Sequence, residues 1–254
     1  NENGSLNEDK LRDLAGKPQV RMIEIKFSQG AKPGKGGLLP KEKITEEIAE
    51  LRGVAMGEDV ISPPRHAECG DLESTVRFIR RIQDVTELPV GVKFCVGKLN
   101  DVSALVGEMQ RQEIFPDWIT IDGAEGGTGA APKAFVDQVG MPLQPALRGV
   151  NQILIHHGVR DRLKLLAAGK LVNPGNQIVA LGLGADAVYT ARGFMLAIGC
   201  IQALQCANNT CPVGITTHDK VLQEGLVIEA KAARVKQFVD NCLLDLEQLT
   251  ASTG

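Results

Sequence analysis

Short aliphatic segments alternate with glycine-rich turns and helical patterns along most of this chain. Such alternation is typical of a parallel sheet in which strands are joined through helices. We therefore expect an α/β fold of the (β/α)8 TIM-barrel type. Because a closed barrel has eight strands, the chain is expected to contain about six of them. The predicted strands cover residues 22–28, 59–62, 90–96, 118–122, 163–168 and 187–191.

Most of the turns that follow these strands are rich in glycine, notably residues 29–37, 122–129 and 167–170. In a (β/α)8 barrel the carboxyl ends of the strands form the active face, so ligand-binding residues should concentrate in these turns. Their free N–H groups suit a flat polar ring or an anion. The last two turns, which carry Lys170 and Arg192, suit a phosphate. Tight turns with nothing bound are the alternative interpretation.

Composition narrows the class of protein. Of 254 residues, 43% are hydrophobic and 23% are charged, as in an ordinary folded globular protein. The formal net charge is -3 and the basic residues form no run, so we expect no nucleic-acid partner. The sequence has no apolar segment of about 18 residues and no signal-peptide pattern at residues 1–10. We therefore expect no membrane span and a cytoplasmic location.

Three cysteines lie close together near the end of the predicted barrel. Cys200, Cys206 and Cys211 are separated by five and then four residues, and Pro212 follows the last of them. Thiolates so close in sequence can converge on one iron-sulfur cluster, and three ligands suggest a three-iron cluster. A zinc site completed by His218, or plain buried thiols, would also account for the spacing.

Lysine and arginine side chains mark two further candidate sites. Lys93 lies in a mostly apolar predicted strand, where a buried ammonium needs a partner. Either a flavin that gains negative charge on reduction or an ion pair with a neighbouring strand would supply one. Lys32 and Arg52 lie around the first glycine turn and are candidate clamps for an acidic substrate.

Capping residues and apolar periodicity also predict two helices, and the chain divides into four segments. Asp71 is expected to cap a helix that buries Val76, Ile79 and Ile82, and residues 235–249 carry one apolar face of a last helix. We divide the chain into a connector (1–21), a partial barrel (22–199), a cysteine loop (200–220) and a C-terminal helical segment (221–254).

Several long stretches occur together in one order between about residues 18 and 218. They are Lys26-Phe-Ser-Gln-Gly-Ala-Lys-Pro-Gly-Lys-Gly-Gly37, Ile61-Ser-Pro-Pro64, Asp122-Gly-Ala-Glu-Gly-Gly-Thr-Gly-Ala-Ala-Pro132, and the run from Cys200 through Asn208-Asn-Thr-Cys-Pro-Val-Gly214. In this order they resemble the flavin-binding synthase domain of glutamate synthase, and most of all the stand-alone glutamate synthase-related proteins that bind FMN.

This resemblance implies a set of site residues in the barrel segment. Cys200, Cys206 and Cys211 would hold a [3Fe-4S] cluster, and Lys32 and Arg52 would bind the substrate carboxylates as catalytic residues. The implied FMN contacts are Gln29, Lys93, Gly126, Gly127, Thr128, Gly129, Gly169, Lys170 and Arg192.

Two positions depart from the family pattern. Leu38 stands where glutamate synthase has glutamine, and Asp71 stands where it has serine. An added carboxylate beside a dicarboxylate is unfavourable, so we expect a substrate other than 2-oxoglutarate.

The resemblance implies reductive amination of a 2-oxo acid, with electrons from a ferredoxin-like donor or a pyridine nucleotide reductase. An FMN-dependent 2-hydroxy or amino acid dehydrogenase is an alternative within enzymes, and a non-catalytic electron-transfer or assembly module that carries the cluster is an alternative outside them. The family's first two barrel strands and its amidotransferase domain are not found in this sequence. We expect the missing strands to come from the same longer protein or from another chain.

Overall fold

The computed structural model describes residues 4–127 and 129–253. Its strands are β1 (Ile23–Lys26), β2 (Leu38–Leu39), β3 (Val60–Ile61), β4 (Val90–Phe94), β5 (Trp118–Asp122), β6 (Lys164–Ala168) and β7 (Ala187–Tyr189). Its α-helices are α1 (Glu8–Ala15), α2 (Glu46–Arg52), α3 (Leu72–Thr86), α4 (Leu99–Gln112), α5 (Leu143–His156), α6 (Pro174–Gly182), α7 (Arg192–Ala197), α8 (Lys220–Gln223) and α9 (Ile228–Thr253).

Five strands form one parallel sheet in the order β1-β4-β5-β6-β7. The order follows the chain and never reverses. Because parallel crossovers are almost always right-handed, a sheet of this order carries its connecting helices on one face, as a barrel does. A doubly wound sheet would reverse its strand order. The chain is therefore a partial (β/α)8 barrel, which confirms the predicted fold class.

The sequence predicts that residues 59–62 form a strand of the parallel sheet, and this prediction was wrong about the sheet. Val60–Ile61 is a strand, but it pairs antiparallel with Leu38–Leu39 in a separate two-stranded sheet, with Leu38 opposite Ile61. The side chains of Leu38 and Ile61 are both exposed. A strand with only two apolar residues cannot cover a core face, so it pairs locally with the loop that returns after β1.

The outer face of the parallel sheet carries the hydrophobic core. Its central side chains are completely shielded from solvent: Val90, Val92, Ile119, Ile121 and Leu165. Helices α3, α4 and α5 cover this face with Val76, Ile79, Val106, Met109, Leu147 and Val150. As predicted, Asp71 caps α3, because its carboxylate accepts from the Ser74 N–H at 2.7 Å.

The C-terminal helix α9 packs on the outside of the barrel segment, against α6 and α7. The Phe238 ring meets Phe194 of α7 edge to face, with ring centroids 5.5 Å apart. The helix α9 includes residues 235–249, so the predicted last helix is confirmed. Among the described residues, no helix combines the length and the apolar character that crossing a membrane requires.

The inner face of the sheet is more polar. Glu24 and Lys26 of β1, Lys93 of β4 and Thr120 of β5 alternate with the core residues of the same strands. Gly91 separates Glu24 from Trp118 on this face, and a β-carbon at Gly91 would overlap the indole ring of Trp118. The glycine thus leaves room for the indole to lie across β4.

We predict that Gly91→Ala lowers the free energy of unfolding by about 1–3 kcal/mol, because its methyl group must displace Trp118 from a packed interior. Gly97→Ala is the matched control, since no atom lies within 4 Å of the added carbon there. Urea unfolding followed by circular dichroism measures both changes. Equal stability of the two variants would contradict the proposed packing.

Candidate functional site

The turns after β1 and β5 pack against each other at the carboxyl ends of the strands. The Gly30 N–H donates to Oδ2 of Asp122 at 3.1 Å. A β-carbon at Gly30 would overlap the carbonyl oxygen of Gly123, and one at Gly127 would overlap the Ala31 methyl group. Glycine is therefore required at these positions by the close approach of two backbones.

The buried Asp122 carboxylate lies at the centre of this contact. Burial raises the pKa of Asp122 above its usual value, while the Gly30 N–H and the positive charges of Lys93 and Lys26 limit that rise in pKa. Gly126 packs directly on Oδ1 of the same carboxylate. One acidic group thus connects the two glycine-rich turns with the two lysines of the inner face.

The turn after β6 meets the same rim. Gly169 has a φ of +127°, and a β-carbon there would lie 3.1 Å from the Gly123 nitrogen. The neighbouring Lys170 forms an ion pair with Asp137, with Nζ 3.1 Å from Oδ2. Both side chains of the pair are partly exposed, so the contact is weak and open to exchange with another anion.

The turn after β7 completes the rim. Arg192, the first residue of α7, donates from Nη2 to the Gly127 carbonyl at 2.9 Å. The hydroxyl of Thr190, two residues before Arg192, is buried and has no hydrogen-bond partner in the part of the chain that the structure describes. A buried hydroxyl without a partner is costly, so this turn has unused capacity to bind a polar ligand.

The cysteine loop lies beside the turn after β5. A β-carbon at Gly129 would lie 2.8 Å from Sγ of Cys206. Burial opposes ionisation of Cys211, but the N–H groups of Thr216, Val213 and Ile215 donate to its sulfur and lower its pKa to about 7. The loop therefore favours a thiolate at Cys211.

The three thiols do not form a ready metal site in this structure. Within residues 4–127 and 129–253, no three histidine, cysteine or acidic side chains are grouped closely enough to hold a metal ion. Cys200 instead accepts a hydrogen bond from the Gln202 N–H at 3.4 Å.

The predicted substrate residues lie around the first glycine turn and the helix that follows it. The Lys32 N–H donates to the Gln29 carbonyl at 3.2 Å. This hydrogen bond closes the turn that carries the side chains of Gln29 and Lys32. Arg52 is the last residue of α2 and is exposed, and Gly53 ends the helix in the left-handed conformation. Neither Lys32 nor Arg52 forms a side-chain hydrogen bond or ion pair with another described residue.

The structure thus brings together at one rim Gly126, Gly127, Gly129, Gly169, Arg192 and Cys206. Lys170 lies directly after Gly169, and Lys93 lies on the inner face of the sheet. Thr128 lies outside the described residues.

Sequence reasoning missed Glu24, which is the ion-pair partner of Lys93. Oε1 of Glu24 lies 3.9 Å from Nζ of Lys93, and both side chains are about one-fifth exposed. The signal was present, because Glu24 and Lys26 alternate with Ile23 and Ile25 and therefore share the face opposite the core.

A family model described as a conserved region in glutamate synthase matches residues 18–254. The glutamate synthase large subunit-like protein YerD of Bacillus subtilis is 40% identical over 99% of this chain and 48% of its own length. The archaeal-type glutamate synthase [NADPH] of Thermotoga neapolitana is 38% identical over 91% of this chain and 45% of its own.

Among solved structures, a mutant flavocytochrome b2 with benzoylformate superposes with a TM-score of 0.46 and 16% identity, over 89% of this chain and 46% of that one. The chain spans about half the length of the YerD and Thermotoga relatives. Because the family model matches nearly the whole chain, the chain belongs to the glutamate synthase family.

Proposed function

We propose that this chain is the FMN- and [3Fe-4S]-binding part of a glutamate synthase-type oxidoreductase that catalyses reductive amination of a 2-oxo acid to an amino acid. One observation carries the proposal. The glycine turn after β5 is contacted on one side by Arg192 and on the other by Cys206. The predicted phosphate turn and the predicted cluster loop therefore meet at one backbone segment.

The rim fits the chemistry of FMN. Gly127 and Gly169 carry no side chains that would cover the backbone of the rim, and Thr190, Lys170 and Arg192 offer a hydroxyl and two cations to a phosphate. Bound FMN would supply hydride transfer. Lys93 would hold its positive charge where the flavin ring gains negative charge on reduction.

The cysteine loop fits a cluster in its donor chemistry. Cys200, Cys206 and Cys211 would be the ligands, and the N–H groups directed at Cys211 favour its thiolate. Cys206 lies beside the glycine turn, so a cluster held there would be next to the flavin. We propose that electrons reach it from a ferredoxin-like donor or a pyridine nucleotide reductase.

The substrate would be a small 2-oxo acid or amino acid whose carboxylate is bound by Lys32 and Arg52, because no other described residue engages either side chain. Asp71 keeps its charge at neutral pH, since hydrogen bonds from Ser74 hold the pKa of its carboxyl below the usual range. We therefore propose that 2-oxoglutarate is not the preferred substrate. The remaining barrel strands would come from the rest of a longer protein or from another chain.

If Lys170 binds the FMN phosphate, Lys170→Met weakens FMN binding by about 10- to 100-fold, because a charge-assisted hydrogen bond is lost. Asp137→Asn frees Lys170 from its ion pair and leaves FMN binding unchanged or up to about fivefold tighter. Quenching of FMN fluorescence by the apoprotein measures both. Equal weakening by the two variants would show that the ion pair is structural and that Lys170 does not bind the phosphate.

If the three cysteines are cluster ligands, serine at Cys200, Cys206 or Cys211 abolishes the paramagnetic resonance signal of the oxidised cluster, because a ligand is lost. Cys242→Ser on α9 is the matched control and keeps the signal. Iron and acid-labile sulfide are assayed in parallel. A full signal in any of the three ligand variants would remove that cysteine from the site.

The specificity proposal is tested with Asp71→Ser, which removes the charge but keeps a residue that caps helices well. If Asp71 lies beside the bound substrate, we expect the KM for 2-oxoglutarate to fall by roughly three- to tenfold, because a like charge is removed. Flavin reoxidation by a panel of 2-oxo acids, with and without ammonia, measures this, with Asp9→Ser on α1 as control. If 2-oxoglutarate is already the best oxidant of the wild-type protein, and Asp71→Ser does not improve it, the specificity argument fails.

A further inference from the structure

The carboxylate of Glu24 is held from one side by three hydrogen-bond donors. Its Oε2 accepts from Nε1 of Trp118 at 3.1 Å, from Oγ1 of Thr120 at 2.6 Å and from the hydroxyl of Tyr189 at 3.3 Å. Its other oxygen, Oε1, faces Nζ of Lys93 at 3.9 Å. A carboxylate fixed in this way has one defined direction in which to attract a cation.

The register of the strands builds this arrangement. Gly91 lies opposite Glu24 on one side and Trp118 on the other, and a side chain at Gly91 would overlap the indole ring. Trp118 therefore reaches across β4 to Glu24 on β1. Tyr189 reaches the same oxygen from β7, at the other edge of the sheet.

Lys93 needs such a partner because another cation lies beside it. Lys26 is its register neighbour on β1, and burial together with the charge of Lys93 lowers the pKa of Lys26. A lysine side chain has several rotatable bonds and moves away from a neighbouring positive charge unless a negative charge fixes it.

We propose that Glu24 is a positioning residue that holds the Lys93 ammonium on the inner face for its action on the flavin. This inference rests on the proposed function. Lys93 lies two residues nearer the carboxyl end of β4 than Gly91, the register partner of Glu24. Glu24 therefore lies farther than Lys93 from the carboxyl ends of the strands, and it acts on the flavin through Lys93.

The test measures the midpoint potential of the FMN-loaded protein with Glu24→Gln, which keeps an oxygen acceptor and removes the charge. Loss of positioning makes the preference for reduced flavin about tenfold weaker, which lowers the potential by about 30 mV for two electrons. A direct effect of the lost negative charge has the opposite sign, because it favours the reduced, more negative flavin. In a Lys93→Met background, Glu24→Gln is expected not to lower the potential, because only the direct effect of the lost charge remains. Glu58→Gln, at an exposed position, is the control.

A second readout needs no flavin. Trp118 is the only tryptophan of the chain, so its emission and its quenching by acrylamide report on this face of the apoprotein. Unchanged emission in Glu24→Gln shows that the fold is intact and that the lower potential comes from the loss of Lys93 positioning. If Glu24→Gln does not fold, Tyr189→Phe decides, because it removes one donor and is expected to lower the potential in the same direction by less.

The outcomes separate this inference from the proposed function. A potential that rises, stays the same, or shifts equally without Lys93 overturns the positioning role of Glu24 and leaves the FMN proposal standing. Failure of the wild-type protein to bind FMN would overturn both.

Discussion

The contact between Gly30 and Gly123 determines what the rim of this sheet can be. Two backbones approach so closely that neither turn has room for a side chain at the crossing, and the buried Asp122 carboxylate joins them through the Gly30 N–H. The Gly127 carbonyl, which receives Arg192, and the backbone beside Cys206 belong to the turn held in place there. The arrangement of two other segments, the turn that carries Arg192 and the cysteine loop, therefore depends on one contact.

Much of the architecture could be predicted from the sequence because its signals are local. The apolar period of α3 and the capping residue Asp71 both lie within one helix, and five of the six predicted strands carry enough aliphatic residues to cover a core face. Residues 59–62 show the limit of this reasoning. A strand of two apolar residues does not specify its partner, and antiparallel pairing with Leu38–Leu39 depends on where the loop after β1 returns.

Only part of the candidate site could be predicted from the sequence. The glycine turns and the cysteine loop are long continuous stretches, so they were found. Glu24, Asp122 and Tyr189 were missed because each belongs to a different strand, and only the register of the sheet brings Glu24 to Tyr189. The ion pair of Lys170 with Asp137 likewise joins residues 33 positions apart, which no local pattern indicates.

The division of each strand between a core face and a polar face has a consequence for how this sequence can vary. Alternate residues of one strand lie under different constraints. Val92 packs beneath the helices, whereas Lys93 lies on the inner face and forms an ion pair there. A library restricted to the charged inner-face positions, such as Lys26 and Lys93, with Gly91 and Trp118 kept, would change ligand preference at a small cost in the free energy of folding. The scaffold is thus suited to diversification of its chemistry without redesign of its core.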